Sequence, residues 1–233
     1  GRRHHNRTVR RLTMSSVGSA LRARPLGDSA ITITFGTERS AALLTRIQEV
    51  ARALQKETLP HVDDIVPAYL SLAVFYNSLE IAYGDIAETL VDACERAARA
   101  PHAVTQPRSH TIPVQYDGID LDAVAAATGL PRDEIVSRHT ARTYTVDLLG
   151  FVPGFAYLSE IDPALQLPRR AQPRPRVAAG SVAIAAAQTA VYPLDTPGGW
   201  HIIGNTTTVM FDPARTPPAL LAPGDAVRFE QVA

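Results

Sequence analysis

The chain has 233 residues, 45% of them hydrophobic, with 23 basic side chains against 23 acidic ones. That is enough apolar material for one large domain or two small ones with true cores, and it argues against a disordered or fibrous chain. The neutral total hides an uneven distribution: residues 1–27 carry seven arginines and no acid, which leaves 16 basic against 23 acidic residues elsewhere, and an acidic body argues against nucleic acid as the main partner.

Residues 1–24 are expected to be a disordered basic extension, with Met14 a candidate natural start within it. No apolar run behind it is long enough for a signal peptide or a membrane span. The single cysteine, Cys94, leaves no intrachain disulfide and no cysteine zinc site, and a cytoplasmic protein is expected. "AITITF" (30–35) alternates and is rich in β-branched residues, which predicts a strand. A helix is predicted from Thr37 to about Lys56, with Leu43, Ile47, Val50 and Leu54 on one face. Strands follow at 61–67 and 69–76. A second helix, capped by Asp85, has Ile86, Leu90, Cys94 and Ala97 on its inner stripe. One further strand would give the order of a ferredoxin-like unit over residues 25–105.

"APHAVTQPRSH" (100–110) reads as a linker, and "TIPVQY" (111–116) opens a second unit over 106–233. Two short helices are predicted there, Leu121–Ala127 stopped by Gly129, and Pro131 to about His139. Beyond Gly150 lie eleven of the 18 prolines and the short apolar runs "VAAGSVAIAAA", "TAVYPL", "WHIIG", "TTVMF" and "AVRFE". That pattern predicts an all-β barrel or sandwich.

No phosphate-binding glycine loop of the GxxxxGK[ST] or GxGxxG kind is present, no HExxH or GxSxG, and no complete nucleophile–base set. Three segments carry the positive signals. "GFVPGF" (150–155) sets two glycines and a proline among aromatics and is expected to bend a barrel strand. "PRRAQPRPR" (168–176) places Arg169, Arg170, Arg174 and Arg176 on a proline-stiffened loop, where guanidinium forks suit carboxylates and phosphates. "TPGGWHIIG" (196–204) joins Gly198 and Gly199 to the chain's one tryptophan, Trp200. Two readings stand side by side: a pocket with a backbone floor and aromatic walls for a small flat polar ligand, or two tight barrel corners with aromatic plugs. His139 and Tyr144 flank the start of the "GFVPGF" strand.

"GDSAITITFG" (27–36), "HTARTYTVDLLGFVPGFAYL" (139–158), "LPRRAQPRPRVAAGSVAIAAAQTAVYPLDTPGGWHIIGNT" (167–206) and "LAPGDAVRFE" (221–230) together resemble the KipI/PxpB family, also called allophanate hydrolase subunit 1. The resemblance covers about residues 25–233. It implies an α+β chain, an N-terminal ferredoxin-like α/β domain followed by a C-terminal cyclophilin-like β-barrel. It also implies a partner of the KipA/PxpC (subunit 2) type and a PxpA-type subunit, the set that forms an ATP-dependent 5-oxoprolinase. Other members inhibit a histidine kinase, and related sequences occur in urea carboxylase. A free-standing prolyl isomerase is a weaker alternative, since it rests on the barrel alone.

Opening 5-oxoproline hydrolyses an unstrained lactam. Coupling to ATP by phosphorylating the amide oxygen requires a nucleotide site, cations around the phosphates and a positioned water. With no nucleotide loop in this chain, ATP and its Mg are expected largely on the partners, and the site is expected at a subunit interface. Arg170 and Arg174 are expected to meet anionic groups and His139 to transfer a proton. Phe151, Pro153, Gly154, Phe155, Gln188, Gly198, Gly199 and Trp200 are expected around the substrate, with no metal ligands in the chain. Ala186 and Ala190 stand where relatives often carry glycine, and Asn205 where arginine is common after "IIG".

Overall fold

The computed structural model describes residues 21–100 and 107–232. Of the expected extension, residues 1–20 fall outside that range, as does 101–106 of the linker. Residues 22–24, expected to be unstructured, instead belong to a strand, Arg22–Pro25 (β1), that pairs antiparallel with Ala30–Thr34 (β2). An edge strand has a neighbour on one side only, so a polar run such as "RARP" serves there and carries no alternation to announce it.

β2 buries Ile31 and Ile33. Helix α1 follows at Ala41–Lys56, four residues later than expected, because Ser40 rather than Thr37 caps it, its hydroxyl accepting from the Leu43 amide at 3.1 Å. Strands Val62–Pro67 (β3) and Ser71–Tyr76 (β4) form a hairpin, and helix α2 spans Tyr83–Arg99. Asp85 lies in the first turn of α2 and does not cap it; there its carboxylate still complements the positive end of the helix dipole. The sheet order is β1-β2-β4-β3, antiparallel throughout. The strand missing from the expected order is therefore β1, ahead of both helices rather than after α2. One core joins the sheet to the helices, with Ile47, Val50, Leu54, Ile86, Leu90 and Cys94 in contact with Leu72 and Val74.

The second unit is built on Ser109–Val114 (β5), helices Leu121–Thr128 (α3) and Arg132–Thr140 (α4), Thr143–Leu149 (β6) and Ala156–Leu158 (β7). Gly129 ends α3 at φ 72°, in the left-handed region that favours glycine. Arg174–Val177 (β8), Ser181–Ala185 (β9), Gln188–Val191 (β10), Thr196–Gly198 (β11), His201–Asn205 (β12) and Ala226–Gln231 (β13) complete it. Seven strands order as β12-β9-β10-β7-β6-β13-β5. Beyond the end of β5, Gln115 and Asn205 exchange two backbone hydrogen bonds of 2.9 Å, which brings the two edges together into a nearly closed barrel. "TTVMF" (207–211) is not a strand; only Phe211 bridges, to Ala219.

β9 is buried at all five positions. Its Val182 and Ile184 enter the barrel interior with Ile112, Val146, Val191 and Ile203. Its Ala183 and Ala185 face outward, under a second cluster of Phe155, Tyr192 and Trp200. Successive side chains alternate faces, so a strand covered on both sides loses its polar alternation; hence "SVAIAAA" reads as a continuous apolar run. No described helix is long and apolar enough to cross a membrane.

Candidate functional site

The "GFVPGF" segment is a hairpin turn between β6 and β7, not a bent strand. Gly150 N–H donates to Phe155 O at 3.1 Å, and Phe155 N–H to Val152 O at 3.1 Å. Phe151 and Gly154 both take positive φ, 72° and 78°. At Gly154 a Cβ would meet that of Phe211 at 2.6 Å, so no side chain fits there. The turn throws Phe151 outward, 59% exposed, and Phe155 inward, 1% exposed.

Phe155 is a hub. Its ring meets those of Phe151, Tyr157, Tyr192 and Trp200 edge-on, with centroids 4.9–5.7 Å away, a geometry that the aromatic quadrupole favours. The arginine loop and the glycine–tryptophan loop lie across this cluster. They are tied by the β8–β11 pair, Arg174 opposite Gly198, and by Arg170 N–H donating to Gly199 O at 2.8 Å. Gly198 is needed where it stands, because a Cβ would lie 2.3 Å from the Tyr192 hydroxyl oxygen. The result is a cleft of about 260 Å³ with Phe155, Tyr157, Tyr192 and Trp200 as its walls and Arg169 and Arg170 at its edge. Three segments singled out in the sequence, distant along the chain, meet here.

Of the residues expected at the site, Phe151, Phe155, Arg170, Gly198, Gly199 and Trp200 line this cleft. Pro153 and Gly154 belong to the adjoining turn. Arg174 points to the other side of the β8–β11 pair, where it lines a second cleft of about 450 Å³ with Gly118, Ser181 and Asn205. Gln188 lies elsewhere: its amide donates to Tyr69 Oη at 2.5 Å and reaches Asp147 at 3.5 Å, between the barrel and the N-terminal unit. In the same cluster Arg39 pairs with Asp147 at 3.1 Å and stacks 3.7 Å from the Tyr69 ring centre. Burial drives the Asp147 carboxyl up to about 6, against the pull of Arg39.

His139 is not in the cleft. It is fully buried under the barrel, stacked on Phe229 at 4.6 Å. Tyr116 Oη lies 2.7 Å from its Nδ1, and Thr189 Oγ1 lies 2.9 Å from its Nε2. The Thr189 hydroxyl donates to Ala183 O at 3.0 Å, so it accepts from Nε2–H, and Nδ1 accepts from the Tyr116 hydroxyl. Both ring nitrogens are thus engaged, and burial pulls the pKa down to about 3.

The sequence alone did not point to Asp120. It is 2% exposed, at the start of α3, and takes Arg170 NH1 at 2.8 Å, Arg174 NH2 at 2.6 Å and NH1 at 2.9 Å, and the Ile202 amide at 2.8 Å. Burial alone would raise its pKa; the hydrogen bonds from Arg174 and Ile202 and both guanidinium charges outweigh that and hold it low. Asp120 is thus already matched to the two arginines expected to meet a ligand anion. Its partners are 50 and 54 residues away, so no local pattern marks it. Tyr157 and Tyr192 were also missed, although Tyr157 lies near the end of the "GFVPGFAYL" stretch.

A mixed sheet-and-helix chain with a nearly closed barrel and this cleft is a carboxyltransferase-type protein: the model of the family "Carboxyltransferase domain, subdomain C and D" matches residues 21–221. The chain belongs to that family and, within it, to the KipI/PxpB group that its motifs resemble. It is 40% identical over 211 residues to a 5-oxoprolinase subunit of Escherichia coli O157:H7, covering 88% of this chain and 93% of that one. It is 36% identical over 219 residues to the corresponding 5-oxoprolinase subunit of Bacillus subtilis (strain 168), covering 89% and 91%. The crystal structure of TTHA0988 superposes with a TM-score of 0.77 at 39% identity over 88% of this chain; the match spans 40% of that longer chain.

Proposed function

We propose that this chain is a non-autonomous subunit of an ATP-dependent amidohydrolase of the 5-oxoprolinase type, and that the aromatic cleft is its share of a site completed by KipA/PxpC-type and PxpA-type partners. The observation that carries this reading is the convergence of "GFVPGF", "PRRAQP" and "PGGW" on one cleft beside a strained, exposed Phe151, since strain of this kind collects at functional sites. The names of its relatives support the substrate. We read residues 25–105, extended back to Arg22 by β1, as a permuted ferredoxin-like domain and the rest (106–233) as a cyclophilin-like barrel, on the strand orders given above.

The walls suit a flat five-membered lactam: rings on several sides exclude bulk water and hold the amide plane. The residues at hand do not fit a nucleotide. Arg170 and Arg174 are engaged by Asp120, and no glycine loop offers a row of amides. ATP, its Mg and the attacking water are therefore assigned to the partners, as is proton transfer, for which buried His139 is unsuited.

Reconstitution tests the reading. The chain alone is expected to show no ATP-dependent release of glutamate from 5-oxoproline, and the mixture with its cognate subunits is expected to show it. Trp200→Ala or Tyr157→Ala in the mixture is expected to reduce kcat/KM at least tenfold. Full turnover by the isolated chain, or full turnover by both variants, would overturn it.

A further inference from the structure

Along the 168–176 segment the charges are unequally committed. Arg170 and Arg174 share Asp120, and Arg176 pairs with Asp195. Arg169, next to them on the same loop, makes no hydrogen bond or ion pair among the described residues, yet it lines the cleft. The Tyr157 hydroxyl has no hydrogen-bond partner among the described residues either. Tyr192 packs edge-on against Phe155 in the same wall. Arg169, Tyr157 and Tyr192 line the one cleft together; burial raises both phenol pKa values, and the charge of Arg169 opposes that at each of them.

From this arrangement we infer that Arg169, not Arg170 or Arg174, is the specificity residue that grips the carboxylate of a small cyclic acid whose flat ring lies against Phe155 and Trp200, with the Tyr157 hydroxyl as a second donor. The inference rests on the reading of the cleft given above and adds the ligand's orientation, carboxylate toward the 168–173 loop. A guanidinium with no prior partner gives up only water to bind a carboxylate. One that already shares a buried aspartate would have to break that pair first. The cleft is smaller than drug-sized pockets, which suits a ring of this size and excludes a nucleotide base with its sugar.

Trp200 is the chain's one tryptophan and a cleft wall, so its fluorescence reports occupancy without any activity. The full chain is titrated with L-5-oxoproline and with 2-pyrrolidinone, the same lactam without the carboxylate, and the titration is repeated by equilibrium dialysis with the reconstituted complex. The unmodified protein is expected to prefer 5-oxoproline by about ten- to a hundredfold, the range of a charged hydrogen-bonded pair. Arg169→Gln is expected to abolish that preference while leaving 2-pyrrolidinone binding and the melting temperature unchanged. Arg169→Lys is expected to restore part of the preference, and Arg176→Gln to leave it intact. An undiminished preference in Arg169→Gln would overturn the assignment of Arg169 and leave the cleft reading in place. Failure of 5-oxoproline to bind both the chain and the reconstituted complex would overturn both.

Discussion

Arg174 and Asp120 meet in a two-pronged ion pair, NH2 to Oδ1 at 2.6 Å and NH1 to Oδ2 at 2.9 Å, that ties the β8–β11 flap to the start of α3. The acid is nearly sealed from water, and its second guanidinium, Arg170, reaches the edge of the aromatic cleft. The two arginines thus position the cleft's loop and are not free to bind an anion. Arg174→Ala would strand a buried carboxylate with Arg170 and one amide, at a cost of about 2–4 kcal/mol. Denaturant unfolding should show that loss, with Asp120→Asn following the same direction. An unchanged midpoint would mean that the pair is energetically idle.

Ala186 sits at φ 49° in the turn between β9 and β10. That is the left-handed region, where a Cβ is strained and glycine is not. Ala186→Gly should raise stability by about 0.5–1 kcal/mol, as relief of the left-handed strain exceeds the entropy cost of glycine. Thermal unfolding of the single variant is sufficient to test it.

Asp147 should make the contact between the two units sensitive to pH. Its folded pKa is raised, to about 6. The stabilisation linked to it is complete below the ordinary carboxylate range and is lost as pH rises from about 4 through 6. Asp147→Asn keeps an acceptor for Arg39 and cannot ionise. Its stability relative to the parent should therefore rise between pH 4 and 7, by an amount on the order of 1–3 kcal/mol. A flat difference across that range would place the charge in a wetter setting than its 5% exposure indicates.

His139 shifts the other way. Buried neutral, with a pKa near 3, it takes up a proton far more readily in the unfolded chain. Its contribution is present above the ordinary histidine pKa and is lost as pH falls from about 6.5 toward 3, at up to about 1.4 kcal/mol per pH unit. His139→Gln should be less stable at pH 7 and should lack that acid slope. Urea midpoints at pH 4, 5, 6 and 7 separate the two proteins.

Much of the architecture was legible in the chain. Leu43–Leu54 and Ile86–Ala97 repeat at helical spacing because each helix buries one face, and "AITITF" alternates because one side of its sheet meets those helices. Gly129 and Pro131 punctuate α3 and α4 through backbone geometry that no distant contact needs to supply. The three cleft segments were visible as unusual mixtures of glycine, proline, aromatics and arginine, since tight turns and close backbone approach restrict which residues fit. Their family likeness was legible for the same reason.

Tertiary structure decided what those segments do. Whether an arginine is available to a ligand depends on what stands across from it, and Asp120 lies 50 and 54 residues from the two guanidinium groups it neutralises. Whether His139 titrates at physiological pH depends on how completely the barrel covers it. Gln188 and Trp200 separate in space, one drawn to Tyr69 of the N-terminal unit and the other to the aromatic cleft. β1 could be found only once β2 offered it an edge. In each case the deciding quantity is burial or pairing between distant residues, which arises when the chain closes on itself and leaves no periodic trace along it.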